Sequence, residues 1–534
     1  MSTQPVLIAG EWRAAAGRKT FHAENPTTGE PLPEEFPVSD RTDCDRALDA
    51  AAAAATELRQ TPPERIASFL KRYAERIEGR ASELVAMANL ETALPNKPRL
   101  ADVELPRTTD QLRQAAAAAL EGSWRLATID TKLNLRSYLA PLGPVLVLGP
   151  NNFPFAYNSV AGGDFVAAIA VGNPVITKAH PGHPSTSRLL AEEAFAALGD
   201  CGLPLAAVQM IFDLAPEDGV RCASDSRLGG IGFTGSRSGG LKLKAAADGA
   251  GKPVYLEMSS VNPVVILPGA LIERHSNIAE EFTGSGLAAD GQFCTSPGLV
   301  ILLDGGMAEA FIQEVKARLN GAPPSTLLSA GVARQLAAGV NAWREAGAEV
   351  VTGGNPLPGP GYHFANTLLR VEGNTFLKAA QQLQTESFGN ASLLVVARDA
   401  TEAAQVVERL EGNLTGSIYS DTHGADDALY AELAPRLRSR VGRFLNDKMP
   451  TGVAVAPAMN HGGPFPATGH PGFTAVGLPA ALRRFAMLQC FDHVRPDRLP
   501  PALQDKNPNG KMWRLIDGQW SRSDVARDGH PNRV

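Results

Sequence analysis

Cys294 lies in DGQFCTSPG, residues 290–298, where Gly291 and Pro297 make turns and Phe293, Thr295 and Ser296 crowd the thiol. Free cysteines mostly pack into apolar runs, so a thiol set among turn-formers asks for another reason. As a thiolate it would attack a carbonyl carbon. Glu257 closes the strand-like run VYLE and is a carboxylate able to act as base toward the thiol or toward a water. Asn152, in GPNNFP, can donate a side-chain N–H to an oxyanion. Each residue also has an inert reading: a packed thiol, a surface charge, a turn residue.

The elements that must carry these residues follow a regular pattern. From Pro144 onward PVLVLG, NPVITK, AVQMIFD, RLGGIGFTG and PVYLEMSS read as short strands. GGDFVAAIAVG, STSRLLAEEAFAALG and SRSGGLKLKAAADG, between them, read as helices. Short apolar runs alternating with helices predict a parallel sheet covered on both faces. Such sheets bind ligands beyond the carboxyl ends of their strands, which here are 149–152, 178–183, 234–236 and 257–260. NPVVILPG, GLVILLD, ASLLVVARD and GSIYS predict a second α/β region over about 262–446. Upstream, DRALDAAAAAATEL and PERIASFLKRYAERIEG carry the helical apolar period. DTKLNLRSYLAPLG changes to strand alternation and suits an arm or bridging hairpin. LIDGQW (515–520) echoes LIAGEW (7–12); Asp517-Gly518 suits a tight hairpin turn, and chance resemblance remains the other reading of the echo.

No GxGxxG follows any of these strands. The nearest glycine turn is GFTGSRSGG; a helix starting at Ser236 would offer unpaired N–H groups to a pyrophosphate, or the glycines simply make the corner. The 534 residues call for two or three domains, and a net charge of −6 argues against a nucleic-acid surface. No uninterrupted apolar run is long enough for a membrane span, and MSTQPVLIAGEW lacks the pattern of a secretory signal. The five cysteines, Cys44, Cys201, Cys222, Cys294 and Cys490, are odd in number and widely spaced. They suit neither a disulfide framework nor a zinc site, so a cytoplasmic setting is expected.

Read together, NNFPF, GNPVITKAHPGHPSTS, GFTGS, YLEMSSVNPVVI, GQFCTSPG and TESFGN resemble the aldehyde dehydrogenase superfamily, in that superfamily's order, over about residues 5–490. The resemblance implies a Rossmann-type cofactor domain (1–128 and 144–259), a second α/β catalytic domain (260–446), bridging and oligomerisation segments (129–143 and 475–500) and a C-terminal extension (501–534). It implies Cys294 as nucleophile, Asn152 with the Cys294 N–H as oxyanion donors, and Glu257 as the base that hydrolyses a thioester. Lys178 matches the lysine on the adenosine ribose, Ser236 the pyrophosphate contact, and Glu386 and Phe388 the pair at the nicotinamide ribose and ring. Gly235 would let the helix approach the cofactor.

Some positions depart from the family pattern. Met258-Ser259-Ser260 stands where Leu-Gly-Gly is common, and Asn390 replaces a proline. Many NAD-preferring members carry a glutamate three residues after the lysine; Pro181 occupies that position here. A 2′-phosphate would then meet no like charge, so NADP or NAD is expected, with NADP ahead. His180 or His183 would contact that phosphate, or merely decorate the loop; their spacing has no further ligands and no metal is expected.

SVAGGD, KAHPGHPSTS, GRFLNDKMPTGV and MNHGGPFPAT resemble the 2-oxoglutarate-semialdehyde (2,5-dioxopentanoate) dehydrogenase branch. That branch also holds NADP-dependent long-chain aldehyde dehydrogenases, so medium- or long-chain aliphatic aldehydes are the alternative substrates. A dicarboxylic semialdehyde needs a cation for its far carboxylate. Arg107 and Arg113, in a helix that by resemblance borders the substrate tunnel, are the candidates, with Phe155 and Phe293 as apolar lining. A coenzyme A-acylating relative generally lacks the glutamate base, so Glu257 argues against one. A non-catalytic relative would need none of the three reactive residues. The expected partners are a small aldehyde and a second copy of the chain, as a homodimer or homotetramer.

Overall fold

A computed structural model of the chain describes residues 3–324 and 326–526. Its first seven-stranded sheet runs, from edge to edge, Val254–Glu257, Gly230–Thr234, Val145–Leu148, Val175–Lys178, Val208–Ile211, Val6–Ile8 and Glu11–Arg13. The first five strands are parallel, and Val6–Ile8 closes the sheet antiparallel to Val208–Ile211. The register sets Leu148 beside Lys178, Lys178 beside Ile211, and Thr234 beside Glu257. The carboxyl ends of all five strands therefore open on one edge. Strand order reverses at Val145–Leu148, whose chain successors lie on either side of it; that is the crevice where doubly wound sheets take a ligand.

The strands are mostly apolar, as strands covered on both faces must be. Helix Gly163–Val171 is buried at every residue; it is apolar but for Asp164, which Arg484 pairs at 2.7 Å. Helix Arg41–Leu58 is capped by the Asp40 side chain and buries Cys44, Ala47, Leu48, Ala51, Ala54, Ala55 and Leu58, one stripe at helical spacing. Among the described residues no helix is long and apolar enough to cross a membrane.

The second seven-stranded sheet runs Glu349–Thr352, Thr367–Glu372, Ala391–Ala397, Leu299–Leu303, Val264–Ile266, Asn413–Tyr419 and Val441–Asn446, parallel except at its first pair. Strands Ala391–Ala397 and Asn413–Tyr419 are buried at every position, the signature of strands covered on both faces.

A five-stranded sheet runs Ala486–Asp492, Leu135–Pro141, Thr128–Asp130, Arg514–Ile516 and Gln519–Ser521. Two strands of the expected C-terminal extension, Arg514–Ile516 and Gln519–Ser521, are thus built into the sheet of the bridging segments; its last residues, 527–534, lie outside the described residues. Arg136 donates to the Leu503 carbonyl and to Asp505, and Asp517 accepts from Thr131. The LIAGEW–LIDGQW echo is structural: Ala9-Gly10 (φ 58° and 79°) and Asp517-Gly518 (φ 48° and 84°) both turn two-residue hairpins. Two successive positive φ values are what such a turn demands of its central pair.

The run AVQMIFD, read as one strand, is interrupted at Phe212. Asp213–Leu214 leaves the first sheet and pairs with Val38 and Ser39 of strand Glu30–Ser39.

Candidate active site

The cysteine loop is held from several sides. Helix Pro268–Leu287 gives way to a tight turn in which Ala289, Asp290 and Gly291 all have positive φ (48°, 54° and 67°). Gly291 has no room for a side chain: a Cβ would stand 2.1 Å from the Gly389 carbonyl oxygen. The turn therefore docks against the 386–390 loop. Asn262 Nδ2 donates to the carbonyls of Cys294 and Ser296, each at 2.9 Å, and Ser392 Oγ donates to that of Pro297 at 2.8 Å. All three bonds fix the backbone and none engages the thiol.

Glu257, the last residue of strand Val254–Glu257, and His461, from an irregular stretch, are each 1% exposed. His461 Nε2 lies 3.3 Å from Cys294 Sγ and 2.9 Å from Glu257 Oε1. One ligand atom from each of the three residues falls within 4.8 Å of the others. Asn152 Nδ2 donates to the Gln292 carbonyl at 2.9 Å, beside the cysteine, and the amide carries a second N–H. Cys294, Glu257 and Asn152 are thus brought together, with His461 between the first two. The three donors are of types that zinc takes. The 2.9 Å separation of Nε2 and Oε1 is hydrogen-bond distance, closer than two ligands stand on a tetrahedral zinc with bonds of about 2.0–2.1 Å.

His461 was missed in the sequence. It lies in MNHGGPFPAT, a stretch quoted for its resemblance, yet a single histidine among glycines and prolines has no local spacing tying it to Cys294. The chain fixes it through its backbone: its N–H donates to Thr474 Oγ1 at 3.0 Å and its carbonyl accepts from Ala475 N at 2.8 Å.

Burial, and then the Glu257 carboxylate, push the Cys294 thiol well above the ordinary thiol range, with Arg107 working the other way. An uncharged thiol needs a nearby proton acceptor before it can attack, and His461 Nε2 is within reach. Glu257 Oε2 is buried with no hydrogen-bond partner among the described residues, leaving it an open acceptor for water.

The aromatic and cationic wall divides the expected substrate residues. Arg107 Nη2 donates to Tyr157 Oη at 3.2 Å, and its guanidinium lies over the Tyr157 and Phe153 rings at 5.2 and 5.8 Å. It makes no ion pair among the described residues, and its Nε is buried without a partner. Phe293 packs edge-on against Phe153 at 5.2 Å. Two expectations are corrected. Arg113 is bound to Glu78 through two bonds of 2.6 and 2.7 Å on the outer face of its helix, because six residues after Arg107 a helix has turned most of the way to its opposite side. Phe155 is wholly buried in the core, whereas it is Phe153 that packs against Tyr157 and Phe293. Arg99, not foreseen, lies 4.5 Å over the Phe153 ring and 5.1 Å over that of Phe293. It also donates to the Asn152 carbonyl at 2.9 Å and pairs with Glu104, so it braces the loop that carries the amide.

Two helices, Pro184–Asp200 and Arg237–Gly249, start at the carboxyl edge of the first sheet. Ser236 is an exposed N-cap of helix Arg237–Gly249, whereas the start of helix Pro184–Asp200 is already occupied by the Glu91 carboxylate, which accepts from Ser185 N and Thr186 N at 2.8 and 2.9 Å. A cavity of about 280 Å³ is lined by Arg237, Ser259, Ser260, Glu386 and Asn413. Burial pushes the Glu386 carboxyl up to about 7, opposed by the Ser259 hydroxyl and the Ser260 N–H, 3.4 Å away. Ser259, a departure from the family pattern, thus faces a carboxylate expected at the ribose. Phe388 is half-buried against the core in the same loop. Asn390 donates to the Phe364 carbonyl and Asn366 Oδ1, both at 2.9 Å, and closes that loop.

Other cofactor expectations change in detail. Gly235 is required by the Phe233 ring, 2.8 Å from where its Cβ would stand; approach to a cofactor is not needed to explain it. His180 Nδ1 accepts from Gly182 N at 3.0 Å, and burial with the neighbouring His183 and Lys178 charges holds its pKa well below the ordinary value. It is a neutral imidazole, not a cation for a 2′-phosphate. His183 is buried with Nε2 donating to the Pro150 carbonyl at 2.9 Å. Pro181 sits half-buried in the turn between them.

Comparison with known proteins bears on these parts together. Residues 12–442 match the model of the aldehyde dehydrogenase family. The chain is 37% identical over 525 residues to alpha-ketoglutaric semialdehyde dehydrogenase 2 of Azospirillum brasilense, covering 96% of this chain and 98% of that one. It is 34% identical to alpha-ketoglutaric semialdehyde dehydrogenase of Acinetobacter baylyi, covering 95% and 97%. Among solved structures, lactaldehyde dehydrogenase from Escherichia coli superposes with a TM-score of 0.78 at 22% identity, covering 92% of this chain and 98% of that one.

Proposed function

The chain belongs to the aldehyde dehydrogenase family, and from that premise we propose that it oxidises a semialdehyde bearing a far carboxylate, 2,5-dioxopentanoate being the best fit, through a Cys294 thioester that water hydrolyses. The observation that carries this reading is the meeting of Cys294, His461 and Glu257 beside Arg107, which makes no ion pair among the described residues. With the ring's own proton on Nδ1, His461 Nε2 takes the thiol proton, and the Nε2–H so formed donates to Glu257 Oε1, 2.9 Å away. Cys294 Sγ adds to the aldehyde carbon, and the oxyanion takes the Asn152 amide and the Cys294 N–H. NAD or NADP, held by Lys178, Ser236, Glu386 and Phe388, would supply the hydride acceptor for that carbon. Glu257, through its unpartnered Oε2, takes a proton from the water that attacks the thioester, and His461 returns its proton to the departing sulfur. Water rather than coenzyme A is the acyl acceptor, because a carboxylate base stands at the sulfur.

Lys178, Ser236, Glu386 and Phe388 are proposed to hold the cofactor at the ribose, pyrophosphate and nicotinamide ends. Pro181 by itself sets no charge against a 2′-phosphate, which is the ground on which NADP was favoured. Arg107 is proposed to receive the far carboxylate. The relatives named above act, by their names, on alpha-ketoglutaric semialdehyde, and a partly desolvated arginine suits that substrate better than a long-chain aldehyde. Assembly as a homo-oligomer in the cytoplasm completes the proposal.

The test is a panel of 2,5-dioxopentanoate, a short aldehyde and a long-chain aldehyde, assayed with the native enzyme and Arg107→Leu. A hydrogen bond to a charged group contributes about 1.5–3 kcal/mol, so KM for 2,5-dioxopentanoate should rise roughly 10- to 150-fold while the uncharged aldehydes change little. An equal effect on all three would sink the carboxylate assignment.

A further inference from the structure

The position that often carries a ribose-binding glutamate is Pro181 in this chain, but a carboxylate reaches the same place from the neighbouring strand. Lys178 ends strand Val175–Lys178, and its register partner is Ile211, the last residue of strand Val208–Ile211. Two residues on, where the pleat returns to the same side, Asp213 Oδ1 lies 3.0 Å from Lys178 Nζ. Lys178 Nζ also donates to the Ala179 carbonyl at 3.2 Å. Asp213 is held there because it starts the short strand that pairs with Val38, so its backbone cannot drift from the sheet edge. Both side chains keep some exposure, 17% for Lys178 and 30% for Asp213, toward the carboxyl edge.

The charge balance of this corner follows. The lysine ammonium is already compensated by Asp213. His180 is neutral and Pro181 offers neither a charge nor an N–H donor. A carboxylate beside a lysine is well matched to vicinal ribose hydroxyls: the hydroxyl donates to the carboxylate oxygen and accepts from the ammonium. A 2′-phosphate on the same carbon would bring a second anion against Asp213, where Lys178 is already paired, His180 is uncharged and Pro181 carries no charge. We infer that Asp213 makes this chain select NAD over NADP, reversing the preference that Pro181 alone implies. The inference rests on the dehydrogenase reading and on the ribose lying at Lys178.

Binding, rather than turnover, tests it. Titration calorimetry with NAD and with NADP should show the native protein binding NAD roughly ten-fold or more tightly. Asp213→Asn, which keeps the shape and removes the charge, should narrow that ratio by a similar factor, chiefly through tighter NADP. Asp213→Ser serves as a second variant. NADP bound as tightly as NAD by the native protein overturns the role of Asp213 and needs no variant to be seen; so does an unchanged ratio in a folded Asp213→Asn. Binding of neither nucleotide overturns the dehydrogenase reading itself, and this inference with it.

Discussion

At the scale of single residues, the site turns on one imidazole placed between a thiol and a carboxylate. Cys294 in its pocket resists ionisation, first because burial removes water from the charged form and then because Glu257 already stands there as an anion. A base that can become a cation relieves both penalties, since the thiolate gains an adjacent positive partner. His461→Asn keeps a hydrogen-bonding side chain but cannot take up the proton. Alkylation of Cys294 by iodoacetamide should therefore proceed in the native protein near neutral pH and require more alkaline solution in the variant. An unchanged pH profile would return His461 to a purely structural role, because lost packing alone would alter rates without moving their pH dependence. Cys294, Glu257 and Asn152 were legible in the sequence, since each sits in a motif with recognisable neighbours. His461 was not, for its partners are created only by the path of a long irregular segment.

At the scale of elements, reactivity depends on loops pressed together at backbone distance. The turn before Cys294 uses three consecutive positive-φ residues, and Gly291 touches the Gly389 carbonyl where no Cβ fits. Gly291→Ala would strain its own backbone and part the 288–298 loop from the 386–390 loop. A displacement near 1 Å can cost about 100-fold in rate. A fall of that order in kcat/KM is expected by steady-state kinetics, and a rate within two-fold of native would show the loops to be independent. Arg113 teaches the complementary point: helical spacing was visible in RTTDQLRQ, and it places Arg107 and Arg113 on different faces. The helix was read, but not which side faces the tunnel, because that depends on what packs against it. Asp213 is similar, for a strand that appeared continuous breaks at Phe212 and re-aims a carboxylate.

At the scale of the whole molecule, the described residues form four sheets joined by segments remote in sequence, and the bridging sheet ends in an open edge. Strand Ala486–Asp492 pairs only with Leu135–Pro141 among the described residues, and it exposes Met487 (44%) and Leu488 (67%). An unpaired apolar edge is a place for another strand to add, and a second copy of this chain is the occupant the proposed oligomer needs. Leu488→Lys should shift the native assembly toward monomer in light scattering after size-exclusion chromatography, and an unchanged mass would place the interface elsewhere. The amino-acid sequence by itself determined the two α/β sheets, the strand ends that matter, the hairpin turns at 9–10 and 517–518, and the family. Those features are written in short-range patterns: apolar runs, glycine and aspartate turns, and motifs of a few residues. Only the tertiary structure decided that a histidine stands between the thiol and the carboxylate, that Arg107 meets Tyr157 while Arg113 pairs with Glu78, that strands 514–516 and 519–521 extend the bridging sheet, and that Asp213 meets Lys178 at the strand ends. Each of those is a contact between residues far apart in the chain, and such contacts are fixed by how whole elements pack, which no local spacing encodes.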